Sequence, residues 1–236
     1  MTIGFAGMAR STTKTRKPTL VLLVRHGRTP TTGHVLPGRA PGLHLGDTGV
    51  AQAEAAAERI VNLAFRGKAH HKRRPKSRVA AVYASPMERT QETAAPIAVA
   101  LGLRVRSNRG LLEADFGSWT GHKLADLNKR PEWHQVQKYP SGFRFPGGES
   151  FAEMQQRVTS TIQSLVDRHP GEAIVAVSHA DPIKAAVAHA MGTHLDLFQR
   201  IVVGPCSISA ILYGTGGPVV LTVNSMGDDL TTLVPS

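Results

Sequence analysis

The sequence predicts an α/β fold: a three-layer sandwich with a mostly parallel central sheet, an antiparallel edge and helices on both faces. Short runs of branched aliphatic residues, bounded by polar, Gly or Pro residues, recur along the chain and read as buried strands. Between them lie segments with helix-favouring composition and helix start signals, so the strands alternate with crossover helices. The last two runs, 207–213 and 218–224, are joined by Gly214-Thr215-Gly216-Gly217, which reads as an antiparallel hairpin at an edge.

The first strand covers 19–24 and breaks abruptly into Arg25-His26-Gly27. A Gly- and Pro-rich loop follows over 25–47, and a loop of that length is either functional or disordered. Asp47 or Thr48 caps an Ala/Glu-rich helix over 49–65. A second strand, 79–84, runs into Ser85-Pro86-Met87-Glu88, read as Ser at the N-cap, Pro at the first helical position and Glu in the first turn. That helix extends to about residue 101, where Gly102 stops it. A short third strand fits 103–106, and the stretch LLEADFGSWTG (111–121) reads as another break at a strand end. Residues 122–148 read as short helices and loop. Ser150 and Glu153 have capping-box spacing and open a helix to about 169, broken by Pro170-Gly171. A strand over 173–177 ends in Ser178-His179, Asp181-Pro182 caps a helix over 182–192, and 194–200 is short and helical.

Composition narrows the function classes. Hydrophobic content of 41% can fill a core, and no apolar run approaches a membrane span. No secretory signal is legible, and the single Cys206 cannot form an internal disulfide; it reads as a small buried side chain beside SISAILY. A cytoplasmic protein is expected. The net charge of +11 suggests nucleic acid until its distribution is inspected. Residues 1–19 hold four cations and 66–78 hold seven, with no acid in either. Without those eleven, the other Lys and Arg match the seventeen acids, so the body is formally neutral. The expected organisation is a basic, disordered tail over 1–18 and one domain over 19–236 with a basic loop at 66–78. Solvated basic segments are favoured over a nucleic-acid surface, with a weak, salt-sensitive attraction to polyanions left open. The pair His70-His71 lacks partner ligands at usable spacing and reads as part of that solvated tract.

Arg25-His26, Arg89, Glu113 and His179 all fall at strand ends or on the helical turn just beyond. Parallel strands deliver such residues to one edge of a sheet, where ligands bind in open α/β folds. Each residue alone has a plainer reading: Arg25 and His26 as ordinary loop residues, Glu113 as a surface acid, Arg89 as a solvated helix residue, His179 as a loop cap. Together, two guanidinium forks and a helix N-terminus favour a phosphate-like dianion. A neutral His26 can accept a phosphoryl group, and the surrounding cations stabilise the equatorial oxygens during transfer. Glu113 is the candidate donor of the leaving-group proton, provided burial offsets the pull of the nearby cations on its pKa. His179 completes the clamp.

LVRHGRT, SPMERTQETA, LLEADFGSWTG, PGGES and VSHA, in this order, resemble the histidine phosphatase superfamily with its phosphoglycerate-mutase-like fold. The resemblance covers roughly residues 19–223. It implies that His26 is the phosphorylated histidine, that Arg25, Arg89 and His179 form the phosphate-binding shell, that Glu113 is the proton donor, and that no metal or other cofactor is used. Two positions depart from the family pattern. Thr32 stands where Asn is common and can still donate a hydrogen bond. Ala180 then Asp181 follow the second histidine where Gly is usual; the Cβ narrows the pocket and the acid opposes anions. Thr32, Arg39 and Ala180 are candidate substrate contacts, and Arg39 reads equally as a solvated loop cation.

The expected activity is a metal-independent phosphomonoesterase acting on a small phosphorylated metabolite, with inorganic phosphate as product ligand. The alternatives are a phosphoglycerate-type phosphomutase, a phosphate-ester-binding regulatory protein without turnover, and docking of nucleic acid through 66–78. Specificity is expected in 31–46 and 122–148. A homodimer is common for this fold, although no interface is legible.

Overall fold

The first strand is buried at every residue but its last, so it lies inside the sheet with a packed layer on each face. In the computed structural model, which describes residues 17–65, 78–227 and 230, β1 is Thr19–Arg25. β2 (Val79–Ala84), β3 (Val105–Ser107) and β4 (Ala173–Ser178) complete the parallel part of the sheet. β5 (Ile208–Gly214) runs antiparallel to β1, and β6 (Gly217–Ser225) pairs antiparallel with β5 at the edge. The strand order is β3-β2-β4-β1-β5-β6. The predicted fold class is therefore observed, including the antiparallel edge. The expected tail and basic loop, and with them His70-His71, lie essentially outside the described residues.

Side-chain alternation along β1 divides the core into two layers. Leu20, Leu22 and Val24 pack with α1 (Asp47–Phe65) and α2 (Glu88–Leu101) on one face. Val21 and Leu23 face the other layer. That layer holds α5 (Phe151–Arg168) and α6 (Ala180–Ala190), together with residues from the irregular segment that contains α3 (Leu124–Leu127) and α4 (Pro131–Lys138). This irregular segment has an aromatic core of its own. Phe145 lies with ring centroids 4.8, 5.0 and 5.1 Å from Phe116, Phe143 and Phe151, and Phe151 lies 5.2 Å from Phe198. Three of the seven phenylalanines in the chain, Phe116, Phe143 and Phe145, lie in this irregular region, and Phe151 of α5 and Phe198 close the cluster from outside it.

Four predicted boundaries are corrected. α1 begins at Asp47, so Asp47 and Thr48 lie in its first turn and neither caps it. α2 begins at Glu88, with extended Met87 at its N-cap, so Ser85 and Pro86 precede the helix. Ser85 is committed elsewhere: its carbonyl accepts from Thr90 Oγ1 at 2.7 Å and Gln91 Nε2 at 2.6 Å. β3 starts at Val105 because the Leu103 N–H turns back to the Ala98 carbonyl (2.8 Å) behind Gly102 at φ 68°. α6 begins at Ala180 with His179 as its extended N-cap, which places Asp181 in the first turn and not at the cap. The capping box at Ser150 and Glu153 forms as the spacing predicts.

Candidate active site

β1 and β4 are hydrogen-bonded neighbours, with Arg25 opposite Ser178. The next residues, His26 and His179, therefore emerge side by side, and the ladder continues one step as the His26 N–H donates to the Ser178 carbonyl at 3.0 Å. Their ring centroids are 5.3 Å apart with planes at 64°. Past this point the chain leaves β1 toward α1 on one face and leaves β4 into α6 on the other. The crevice opens where those paths diverge. Gly27 is required here by close approach: a Cβ on it would stand 2.5 Å from the Gly49 carbonyl oxygen at the start of α1.

The tautomer of His26 follows from its contacts. Its Nδ1 lies 2.8 Å from the Gly27 carbonyl, which can only accept, so Nδ1 carries the proton and Nε2 keeps its lone pair. Burial, Arg89 and Arg25 push its pKa down to about 3, so the ring is neutral at physiological pH. His179 is fixed the other way. Arg89 Nη2 donates toward its Nδ1 at 3.2 Å, so Nε2 carries the proton and donates to Ser85 Oγ at 2.9 Å. Burial and Arg89 hold His179 well below the ordinary imidazole range.

Arg89 is fully buried, near the start of α2. Its Nη2 also donates to the Gly38 carbonyl at 2.7 Å, while Nε and Nη1 are buried with no partner. Arg25 gives Nη1 to the Val203 carbonyl at 2.7 Å, and its Nε is likewise buried without a partner. Guanidinium N–H groups withdrawn from water without an acceptor are costly, and an anion between them removes that cost.

A cavity of about 260 Å³ adjoins this cluster. Arg25, His26, Thr32, Glu113, Ala180 and Asp181 line it, whereas Arg89 and His179 do not. Thr32 is turned inward to its own loop, where its Oγ1 accepts the Thr29 N–H at 2.9 Å. Gly33, Val35, Leu36 and Pro37, with Leu124, Trp133, Val136 and Gln137, contribute from the two irregular segments. Lys184 and Gln199, in the C-terminal part, also line it and were not foreseen.

Glu113 does not sit at a strand end. It lies six residues beyond β3, after a 3₁₀ turn at Arg109–Leu111 that Ser178 Oγ ties down through the Leu111 carbonyl at 2.8 Å. Its carboxyl accepts the Ala114 N–H at 2.9 Å. Burial, with Asp181 adding repulsion, overcomes Ala114, Arg89 and Arg25 and pushes its pKa up to about 7. The carbonyl of Glu113 is held by Arg39 Nε at 2.8 Å and Arg157 Nη2 at 3.3 Å. Both arginines bind Glu149, through Arg39 Nη2 at 2.9 Å and Arg157 Nε at 2.8 Å. Arg39 is therefore neither a solvated loop cation nor part of the cavity wall; it anchors the Glu113 backbone. Glu149, Arg157 and Ser85 are supports that sequence reasoning missed. The only signal for Glu149 was its place in Pro-Gly-Gly-Glu-Ser, and Ser85 was misassigned as a helix cap.

Among curated proteins, the bifunctional protein Rv2228c of Mycobacterium tuberculosis is 34% identical over 214 residues, 89% of this chain. The chain spans 55% of that relative, about half its length. Phosphoserine phosphatase 1 of Hydrogenobacter thermophilus is 31% identical over 153 residues, covering 61% of this chain and 69% of that protein. Among solved structures, phosphoserine phosphatase of Entamoeba histolytica superposes with a TM-score of 0.75 at 24% identity, over 88% of this chain and 98% of that one, a likeness of fold. YhfR of Bacillus stearothermophilus superposes at 0.73 with 25% identity, over 89% and 97%. The family model described as histidine phosphatase superfamily (branch 1) matches residues 21–226. That span takes in every residue of the cluster around His26, and the chain belongs to this superfamily.

Proposed function

We propose that the chain is a phosphomonoesterase that releases phosphate from a small phosphorylated metabolite through a phosphohistidine on His26, with Glu113 as proton donor and without a metal ion. The observation that carries this is the pairing of a neutral His26, its Nδ1–H held by Gly27, with buried guanidinium nitrogens of Arg25 and Arg89 that lack an acceptor. A dianionic phosphoryl group supplies that acceptor and meets a nitrogen lone pair. Membership of a superfamily with phosphatase relatives, among them phosphoserine phosphatase 1, supports the same reaction class.

In the first step Nε2 of His26 forms a bond to phosphorus as the ester P–O bond breaks. The departing alkoxide takes the carboxyl proton of Glu113 and leaves as the alcohol. Arg25 and Arg89 balance charge on the equatorial oxygens. In the second step Glu113, now a carboxylate, takes a proton from water as the water oxygen bonds to phosphorus. The P–N bond breaks, His26 returns to neutrality and inorganic phosphate departs. His179 holds Arg89 in place.

The test is turnover of a panel of phosphomonoesters in EDTA, comparing the parent chain with His26→Ala, together with a search for acid-labile phosphohistidine. Turnover that disappears in the variant, with label on the parent alone, is the expected result. Turnover that survives His26→Ala overturns the reading. Isomerisation of 3-phosphoglycerate only after priming with a bisphosphoglycerate establishes a mutase instead, and phosphate binding without turnover establishes a binding protein.

A further inference from the structure

We propose that the part of the cavity that receives the leaving group selects phosphomonoesters of uncharged, partly apolar alcohols, and that the Asp181–Lys184 ion pair sets this preference. The inference rests on the phosphomonoesterase reading and names its substrate class.

Among the described residues, only two side chains of Lys or Arg line the cavity, Arg25 and Lys184. Arg25 belongs to the phosphate cluster beside His26. Lys184 is committed: its Nζ lies 3.4 Å from Asp181 Oδ1 and 3.0 Å from Gln199 Oε1. Both members of the pair are largely withdrawn from water, each with 18% of its side chain exposed. The pair brings no net charge to the wall. Leu36, Leu124, Trp133 and Val136 add apolar surface.

A carboxylate or second phosphate on the leaving group would lose hydration on entry and find no uncommitted cation. To gain Lys184 it would have to displace Asp181, leaving that carboxylate unpaired a short distance away. Either outcome is unfavourable, because a desolvated charge needs a partner and a stranded one repels. A hydroxyl or amide meets no such penalty, since it can donate to Asp181 or exchange hydrogen bonds with Gln137 and Gln199. An apolar flank gains from burial against Trp133 and Val136. Rejection by a pre-paired cation is discrimination by an unfavourable contact.

Two pairs of esters differ by a carboxylate on the leaving group, in place of a hydroxymethyl group in glycerol 1-phosphate against 3-phosphoglycerate and of a ring hydrogen in benzyl phosphate against 4-carboxybenzyl phosphate. The expected kcat/KM favours the uncharged member of each pair by about tenfold or more. Asp181→Asn keeps the shape of the side chain and frees Lys184, so the ratio should collapse or reverse. Any effect of the substitution on Glu113 falls on both members alike and cancels in the ratio. Lys184→Met, which leaves the acid without its cation, should move the ratio further toward the uncharged esters. Calorimetric binding of the same four esters to His26→Ala reads the preference without turnover. If catalysis fails while the binding preference stands, the phosphomonoesterase reading falls and the selectivity does not. Equal affinities, a preference for the carboxylated esters, or ratios unmoved by both substitutions overturn the inference.

Discussion

The proposed role of His26 as nucleophile requires a lone pair, and two features provide for it: the Gly27 carbonyl holds the proton on Nδ1, and burial beside two guanidinium groups keeps a second proton off. Glu113, as the proposed proton donor, has the converse requirement, since a donor must be protonated before it acts. Its pKa, pushed up to about 7, puts the loss of the active form in the neutral range. The proton is present below that pH and lost above it, so kcat/KM measured against pH should fall on the alkaline side with a midpoint near 7. His26, titrating near 3, contributes no acid limb above about pH 4. Glu113→Gln should lower kcat by roughly 10²- to 10⁴-fold for alkyl esters and flatten the alkaline limb. A limb that persists in that variant assigns the ionisation to another group. Arg89→Lys keeps the charge but loses the planar set of donors that links Gly38, His179 and the unpartnered nitrogens. Competitive inhibition by inorganic phosphate should weaken by about 100-fold, and an unchanged inhibition constant would show that Arg89 does not face the anion. Arg25, His26, Arg89 and His179 were legible in the sequence because each follows a recognisable strand or helix signal. The partners of Arg39 were not legible, because nothing local to 36–40 announces Glu149, more than a hundred residues away.

Elements place these side chains by where they end, and the junction of β1 with α1 is the tightest of those ends. Gly27 and Gly49 press backbone against backbone; a Cβ at 49 would lie 2.0 Å from the Arg28 carbonyl oxygen, and one at 27 would lie 2.5 Å from that of Gly49. No side-chain rotation relieves a clash with backbone. Gly27→Ala should therefore cost about 3 kcal/mol of stability by overpacking, read as a lower urea midpoint, and should disturb the Gly27 carbonyl that orients His26. A midpoint equal to the parent's would refute the close approach. The strands and long helices were readable to within two residues because apolar run length, the Ser150 capping box and the Gly102 stop are local signals. The starts of α2 and α6 were misread because Ser85 Oγ is engaged by His179 from across the fold, while Asp181 lies in the first turn of α6 and pairs with Lys184 of the same helix. For the irregular segment only its polar, broken character was visible. Its path depends on ring-against-ring packing around Phe145, which sequence spacing does not encode.

At the scale of the whole molecule, the geometry of the candidate site is a consequence of topology. Because β4 lies between β1 and β2 in the sheet, two histidines about 150 positions apart in the chain end within one ring contact of each other. The cost is two imidazoles buried without charge, and that cost is visible in global stability. For His26 the folded pKa, about 3, lies below that of the unfolded chain, about 6.5, so acid favours unfolding. The stability it supports is complete above pH 6.5 and is lost as pH falls toward 3. His179 acts in the same sense. Glu113, raised from 4.5 to about 7, acts in the opposite sense, losing stability as pH rises through that window. Between pH 4.5 and 6 the two histidines outweigh the one carboxyl, so unfolding free energy should climb with pH. Removing a single titrating histidine by His26→Asn should reduce the slope by about 1.4 kcal/mol per pH unit, whatever it does to the absolute stability. Urea unfolding at half-unit steps from pH 4.5 to 6 measures both slopes. Parallel lines for the two chains would mean that His26 takes up a proton in the folded protein, and with that proton on Nε2 it could not serve as the phosphoryl acceptor in the mildly acidic range.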